Sequence, residues 1–363
     1  MTSVWHPDEF YMARAIQLAH NGLYTTQPNP RVGCVLVKDG SIIAEGWHAR
    51  AGEGHAEVEA LKRAQSPEGA TVYVTLEPCS HHGRTPPCCE ALIKAGVVRV
   101  VAAMQDPNPL VSGRGLTRLN DAGIDVRCGV LQNEAMKLNP GFIKRMQTGL
   151  PFVRGKLAMS LDGRTAMASG ESKWITSDQS RADVHRYRAR SSAILTGINT
   201  VLADDPALNA RVEFETLQPA RVVLDTRLRM PPTARLLTLP GRNVLVTCSQ
   251  DRSKIDALQQ LGAEVYCVAE RSGKVDLSAV MDLLGRLQFN EIFIEAGPTL
   301  SGALLAENLV DEWLIYMSTN VLGDEGRGLF RLPGLEKMAD KKHLSVCDIR
   351  QIGPDIRLTL KPD

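Results

Sequence analysis

The sequence predicts two α/β domains in tandem. Its 363 residues exceed the commonest single-domain size of roughly 100 to 200 residues. Runs of helical and strand period alternate from Asp8 onward, stop near Asn139 and start again at Phe152. Between the two series lie Asn139-Pro140-Gly141 and Gly149-Leu150-Pro151, which punctuate the chain around a short basic stretch with Lys144 and Arg145. The expected domains are therefore residues 1–146 and 147–363.

From Asp8 to His20 the apolar residues Phe10, Met12, Ala13, Ile16 and Ala19 recur at helical spacing, and Asn21-Gly22 supplies a stop. Gly33–Val37 and Ser41–Trp47 are short apolar runs joined by Lys38-Asp39-Gly40, an Asp-Gly step that favours a tight hairpin. Next come a helix over His55–Ala64, a strand over Thr71–Leu76, a helix over Pro87–Ala95 and a strand over Val97–Ala103. A helix over Gly115–Ala122 and a strand over Ile124–Cys128 complete a mixed sheet with helices on its faces. The second half reads as strands at Phe152–Ala158, Ala193–Gly197, Arg221–Asp225, Asn243–Thr247 and Glu291–Glu295. Helices such as Ser177–Ala189 and Thr299–Ala306 lie between them.

Composition narrows the partners. Basic and acidic residues nearly cancel, 42 against 41, and no basic block offers a track for nucleic acid, which is excluded as an expected partner. Met1–Phe10 lacks the basic-then-apolar pattern of a secretory signal, so the cytoplasm is expected. No apolar run approaches the roughly 20 residues that cross a bilayer, and no membrane partner is expected. The 8 cysteines, in a reducing compartment, stay free or bind metal.

Spacing selects the metal reading. His55-Ala56-Glu57 opens a predicted helix, Glu77-Pro78-Cys79 ends a strand, and Cys88 starts the next helix. One imidazole and two thiolates are good zinc ligands, and a catalytic zinc keeps its fourth position open for water. Bound zinc lowers the pKa of that water from ~15.7 toward ~7, and Glu57 is the candidate proton carrier. Cys89 is the nearby alternative ligand. Neighbouring helical side chains diverge by about 100°, so Cys88 is expected on the metal and Cys89 in the core. His81 and His82 are rival ligands or loop residues.

The run Thr75-Leu76-Glu77-Pro78-Cys79-Ser80-His81-His82-Gly83-Arg84-Thr85-Pro86-Pro87-Cys88, with Pro28-Asn29-Pro30-Arg31-Val32-Gly33 and His55-Ala56-Glu57, closely resembles the bifunctional deaminase/reductase family of riboflavin biosynthesis. The generic cytidine-deaminase pattern has two residues between its cysteines, whereas the nine-position step here looks like the riboflavin branch. The resemblance implies a cytidine-deaminase-like first domain. It would deaminate the 2-amino group of a diaminopyrimidinone carrying a phosphoribosylamino arm, with Glu57 moving the protons. By family pattern Asn29, His48, Asp106 and Asn108 are candidates to hold the base, and Arg84 with Thr85 the phosphate. Read from the residues alone, Asp106-Pro107-Asn108-Pro109 is a turn after a strand, and His48 a polar strand end.

In the second half, Glu291–Glu295 runs into Ala296-Gly297-Pro298-Thr299-Leu300-Ser301-Gly302 and then a helix. A strand, a glycine turn and a helix N-terminus suit a phosphate, but the three-glycine dinucleotide fingerprint is absent. Ser160-Leu161-Asp162-Gly163-Arg164, Trp174-Ile175-Thr176, Asp204-Asp205-Pro206 and Glu295-Ala296-Gly297-Pro298 extend the resemblance nearly over the whole chain. They imply a reductase domain with the dihydrofolate-reductase fold, passing hydride from NADPH to the opened ribose. Carried over by position, Ala158, Trp174, Thr200, Asp204, Thr226 and Gly297, Pro298, Thr299, Leu300, Ser301, Gly302 and Ala303 would touch NADPH. Ser172, Arg188, Leu208, Arg211 and Glu295 would touch substrate, with Arg188 and Arg211 suited to phosphate. Lys156 is a candidate ribose contact or a snorkelling lysine. One zinc per chain, NADPH, a small phosphoribosylated pyrimidine and a homo-oligomer are the expected cofactors and partners. The competing readings are a nucleoside or RNA-base deaminase whose second half only binds, and a non-catalytic zinc protein.

Overall fold

The computed structural model describes residues 7–80, 87–109 and 111–363. The chain divides into two compact units, Met1–Gly149 and Leu150–Asp363. The division falls three residues beyond the expected 146/147 boundary, because a helix occupies Pro140–Thr148 and ends at Gly149 in the left-handed conformation that glycine adopts without strain.

The first unit runs α1 (Pro7–Ala19), β1 (Gly33–Lys38), β2 (Ser41–Trp47), α2 (Ala56–Arg63), β3 (Thr71–Val74), α3 (Cys88–Lys94), β4 (Arg99–Ala102), α4 (Arg114–Asp121), β5 (Asp125–Cys128), α5 (Gln132–Leu138) and α6 (Pro140–Thr148). Its five-stranded sheet has the order β2-β1-β3-β4-β5. β1 is antiparallel to β2 and β3, while β3, β4 and β5 are parallel. The turn at Asp39-Gly40 carries positive φ at both residues, as the Asp-Gly step requires. Alternate β1 residues face opposite ways: Cys34 and Leu36 pack toward Ala56, Ala60 and Cys89, Val35 and Val37 toward Met12 and Ala15. Both faces are therefore dry, and the helix pair α2–α3 is pressed against one of them.

The second unit contains β6 (Phe152–Met159), β7 (Arg164–Ala166), α7 (Asp178–Arg190), β8 (Ala193–Gly197), α8 (Ile198–Asp204), β9 (Ala220–Leu224), α9 (Arg235–Thr238), β10 (Asn243–Thr247), α10 (Arg252–Gln260), β11 (Ala263–Cys267), β12 (Glu270–Arg271), β13 (Lys274–Val275), α11 (Leu277–Arg286), β14 (Glu291–Glu295), α12 (Pro298–Ala306), β15 (Glu312–Met317), β16 (Arg327–Gly328), β17 (Leu344–Ile352) and β18 (Asp355–Pro362). Nine strands form one sheet, β11-β10-β9-β8-β14-β6-β15-β18-β17. It is parallel from β11 through β15, and β18 and β17 add an antiparallel edge. The near-continuous apolar strands β9, β10 and β14 are what a sheet covered on both faces demands. Parallel strands end together, so the chain after β6, β8, β9 and β14 gathers along one rim, where ligands of such sheets bind.

No helix among the described residues is long and apolar enough to cross a membrane.

Candidate functional sites in the two units

In the first unit, His55 is the N-cap of α2, keeps extended backbone and makes no side-chain capping bond to the helix. Cys79 lies in the loop after β3, and Cys88 is the first residue of α3. Their ligand atoms all lie within 4.8 Å of one another. His55 Nδ1 stands 3.2 Å from Cys88 Sγ and 3.6 Å from Cys79 Sγ. Two sulfurs and an imidazole nitrogen at this separation fit one tetrahedral zinc ion with a fourth position left over. Cys89 points elsewhere: it is fully buried, with its Sγ 3.0 Å from the Cys79 carbonyl and 3.3 Å from that of Pro78.

The Cys79 and Cys88 thiols are hydrogen-bonded to each other. A hydrogen bond with Cys88 holds the Cys79 thiol well below its ordinary range, aided by His55, and the same bond with burial pushes Cys88 up. The Cys88 main-chain N–H also donates to Cys79 Sγ at 3.3 Å. Cys79 is thus the sulfur prepared as thiolate. Glu57 sits in the first turn of α2 with 3% of its surface exposed. Burial pushes its carboxyl up to about 7.

His48 and Asn29 stand beside the ligands. The His48 ring meets that of His55 edge-on at 5.3 Å between centroids. His48 Nδ1 lies 3.0 Å from the Gly54 carbonyl, which only accepts, so Nδ1 carries the hydrogen. Nε2 is then the acceptor for Asn29 Nδ2 at 3.1 Å, and burial holds this imidazole below its ordinary pKa. Asp106 closes a turn by accepting the Asn108 N–H at 2.8 Å. Arg84, Thr85, His81 and His82 lie outside the described residues.

In the second unit a cleft of about 1820 Å³ opens at the strand rim. It gathers Ala158, Trp174, Thr200, Asp204, Thr226, Gly297, Pro298, Thr299, Leu300 and Ala303, together with Lys156, Ser172, Arg188, Arg211 and Glu295. Leu208, Ser301 and Gly302 do not line it. Leu208 is buried in the apolar cluster with Ile198, Val201 and Leu236. Ser301 is fully buried, with its hydroxyl 3.4 Å from the Ala296 carbonyl. Gly302 faces the Arg331 backbone so closely that a Cβ would stand 2.1 Å from its carbonyl oxygen. At these three positions, which the resemblance assigns to substrate or NADPH, the residue packs into the core.

The floor of the cleft is charged. Arg188 grips Glu295 through Nε at 2.5 Å and Nη2 at 2.8 Å. Burial pushes the Glu295 carboxyl up, but Arg188 and Lys156 outweigh it and hold it ionised below its ordinary value. Burial lowers the Lys156 ammonium. His185, on α7 one turn before Arg188, also faces the cleft, and burial with Arg188 and Arg211 pulls it down to about 4. As a lone histidine on a predicted helix it gave no signal in sequence. Arg181 lies over the Trp174 ring at 4.4 Å. A long cleft with cationic groups and a nine-residue helix beginning at Pro298 suits a dinucleotide.

The family model for the cytidine and deoxycytidylate deaminase zinc-binding region matches residues 6–104, and that for the RibD C-terminal domain matches residues 151–358. The riboflavin biosynthesis protein RibD of Escherichia coli is 54% identical over 97% of this chain and 99% of its own length. An Acinetobacter baumannii RibD structure superposes with TM-score 0.92 at 46% identity, covering 98% of this chain and 99% of that one. The Thermotoga maritima diaminohydroxyphosphoribosylaminopyrimidine deaminase/5-amino-6-(5-phosphoribosylamino)uracil reductase gives 0.88 at 34%, covering 99% of each. With both family models matched in order and near-complete overlap at these identities, the chain belongs to the RibD family, the bifunctional deaminase/reductase enzymes of riboflavin biosynthesis.

Proposed function

We propose that this chain converts 2,5-diamino-6-(5-phosphoribosylamino)pyrimidin-4(3H)-one to 5-amino-6-(5-phosphoribosylamino)uracil, and then reduces the ribosyl arm to ribityl with NADPH. The observation that carries the first step is the convergence of His55, Cys79 and Cys88 beside a buried carboxylate, Glu57. In this reading the three side chains hold zinc, which as a Lewis acid makes a hydroxide nucleophile available near neutral pH. Glu57 takes the proton that water releases and gives it to the ring nitrogen as hydroxide adds to the amine-bearing carbon, and it then carries the new hydroxyl's proton to the departing amine, so that ammonia leaves and a carbonyl remains. Asn29, which donates to His48, would orient the base together with the Asp106–Asn108 turn. Arg84 and Thr85 would hold the phosphate.

In the second unit NADPH supplies a hydride to the opened ribose carbon. Glu295 and Lys156 line the cleft at its charged floor, where an ammonium lowered by burial can hand on the proton that accompanies hydride. Arg188 and Arg211 would bind the substrate phosphate, leaving Trp174, Thr200, Asp204, Thr226 and the start of α12 to the cofactor. A cytoplasmic homo-oligomer is the assembly expected.

The test incubates the zinc-loaded protein with the diaminopyrimidinone phosphate and NADPH while ammonia and cofactor absorbance are followed together. Ammonia should appear first and cofactor oxidation follow one for one. Cofactor oxidation without ammonia would overturn the reading.

A further inference from the structure

Glu77 is the middle residue of the Thr75-Leu76-Glu77-Pro78-Cys79 run, two residues before a metal-ligand candidate. Only 4% of the residue is exposed, and among the described residues no side-chain cation bonds to it. Among the described residues its carboxylate accepts from main-chain N–H groups. Oε2 accepts from Asp106 at 3.0 Å and Gly113 at 2.9 Å. Oε1 accepts from Gly115 at 2.8 Å, with Leu116 at the long end at 3.4 Å. A buried carboxylate needs such donors, and charge-assisted bonds of this kind are the strong ones.

These donors belong to one stretch of chain. Helix α4 has no side-chain cap of its own; its N-cap is Gly113 in the left-handed region at φ 79. Glu77 satisfies N–H groups of its first turn from the loop after β3, distant in sequence, and the negative charge lies at the positive end of the helix. Packing seals the same junction. A Cβ on Gly115 would lie 2.0 Å from the Pro78 carbonyl oxygen, and Cys89 Sγ rests 3.7 Å from the Gly115 carbonyl. The Asp106 N–H is the one donor outside α4 and its cap. Through it the carboxylate ties the Asp106–Asn108 turn to the segment that presents Cys79.

We propose that Glu77 is a positioning residue of the deaminase site: by accepting the Asp106, Gly113 and Gly115 N–H groups it fixes the Asp106–Asn108 turn relative to Cys79. The inference rests on the reading of Asp106 and Asn108 as holders of the base. Substrate entering between the metal ligands and this turn would meet two walls set at a fixed spacing by one side chain.

Glu77→Gln is the discriminating change. Its amide keeps one acceptor oxygen but turns an NH₂ group toward N–H donors, so one pair of bonds is lost while size is kept. In the full-length, zinc-loaded protein, deaminase KM should rise roughly ten- to hundredfold with a smaller change in kcat. Zinc content should stay near one per chain, and reduction of pre-deaminated substrate should be unchanged. Glu77→Asp, which keeps the charge, should fall between wild type and Gln in KM, and it carries the test alone if the Gln protein does not fold. A zinc-replete variant with wild-type KM, or a loss that scales only with folded fraction, overturns the proposal. Asp106→Ala and Asn108→Ala run in parallel. If neither raises KM, the reading of that turn fails and the inference with it. If both do and the Glu77 variants do not, only the positioning role fails.

Discussion

The Cys88 main-chain N–H donates to the sulfur of Cys79 at 3.3 Å, so the first turn of α3 stabilises a thiolate nine residues earlier in the chain. Cys88 supplies its own sulfur from the same turn, whereas Cys89 is directed at carbonyls behind it. Zinc retention should follow this split. Cys79→Ser or Cys88→Ser should lose most bound zinc, while Cys89→Ser should retain about one ion per chain by elemental analysis; the converse pattern would place the wrong sulfur on the metal.

Arg188 and Glu295 meet through two hydrogen bonds with 14% and 15% side-chain exposure. Removing one partner of such a buried pair leaves a charge without its counterpart, a loss of about 3 kcal/mol or more. Arg188→Ala should therefore cut reductase kcat/KM by roughly a hundredfold, with deaminase turnover unchanged. Equal losses in both activities would contradict an effect confined to the cleft.

Asp8 accepts Arg99 at 2.7 and 2.9 Å, Arg127 at 2.8 Å and Tyr73 at 2.9 Å. The Arg99 hydrogen bonds, the largest cause, lower its pKa from 3.8 to about 2. A carboxyl depressed in the folded state contributes stability above its unfolded pKa and loses it as pH falls toward the folded one. The first unit should thus lose about 2 kcal/mol between pH near 4 and pH near 2. Asp8→Asn should flatten that part of the profile, read by denaturant unfolding at several pH values. An unchanged slope would show that Asp8 does not carry it.

Much of this was legible in sequence for identifiable reasons. Strands β1, β2, β8, β10 and β14 are bounded by turns or glycines and read within a residue. β3 is shorter than its apolar run, ending at Val74: the Thr75 N–H still bonds the opposing Gly33 carbonyl, but the Gly33 N–H turns to the Thr75 hydroxyl at 3.2 Å, which ends the ladder. The antiparallel edge β17–β18 was not read: Val346 and Ile349 are exposed on β17, so apolar alternation does not mark its buried face. His55, Cys79 and Cys88 carry chemistry in their identities and spacing. Glu77 and His185 do not, since what they do depends on which backbone groups and arginines the fold brings to them. Ser301 and Gly302, which the resemblance assigns to NADPH, are turned toward the core by α12.

The central claim is that Glu57, 3% exposed at the start of α2, carries the proton for deamination. Glu57→Gln keeps the volume and removes the base. Measured as ammonia release by zinc-loaded protein, the rate should fall by about 10²- to 10⁴-fold, with zinc content and NADPH oxidation on pre-deaminated substrate preserved. Deamination at near wild-type rate in the zinc-replete variant would contradict the account.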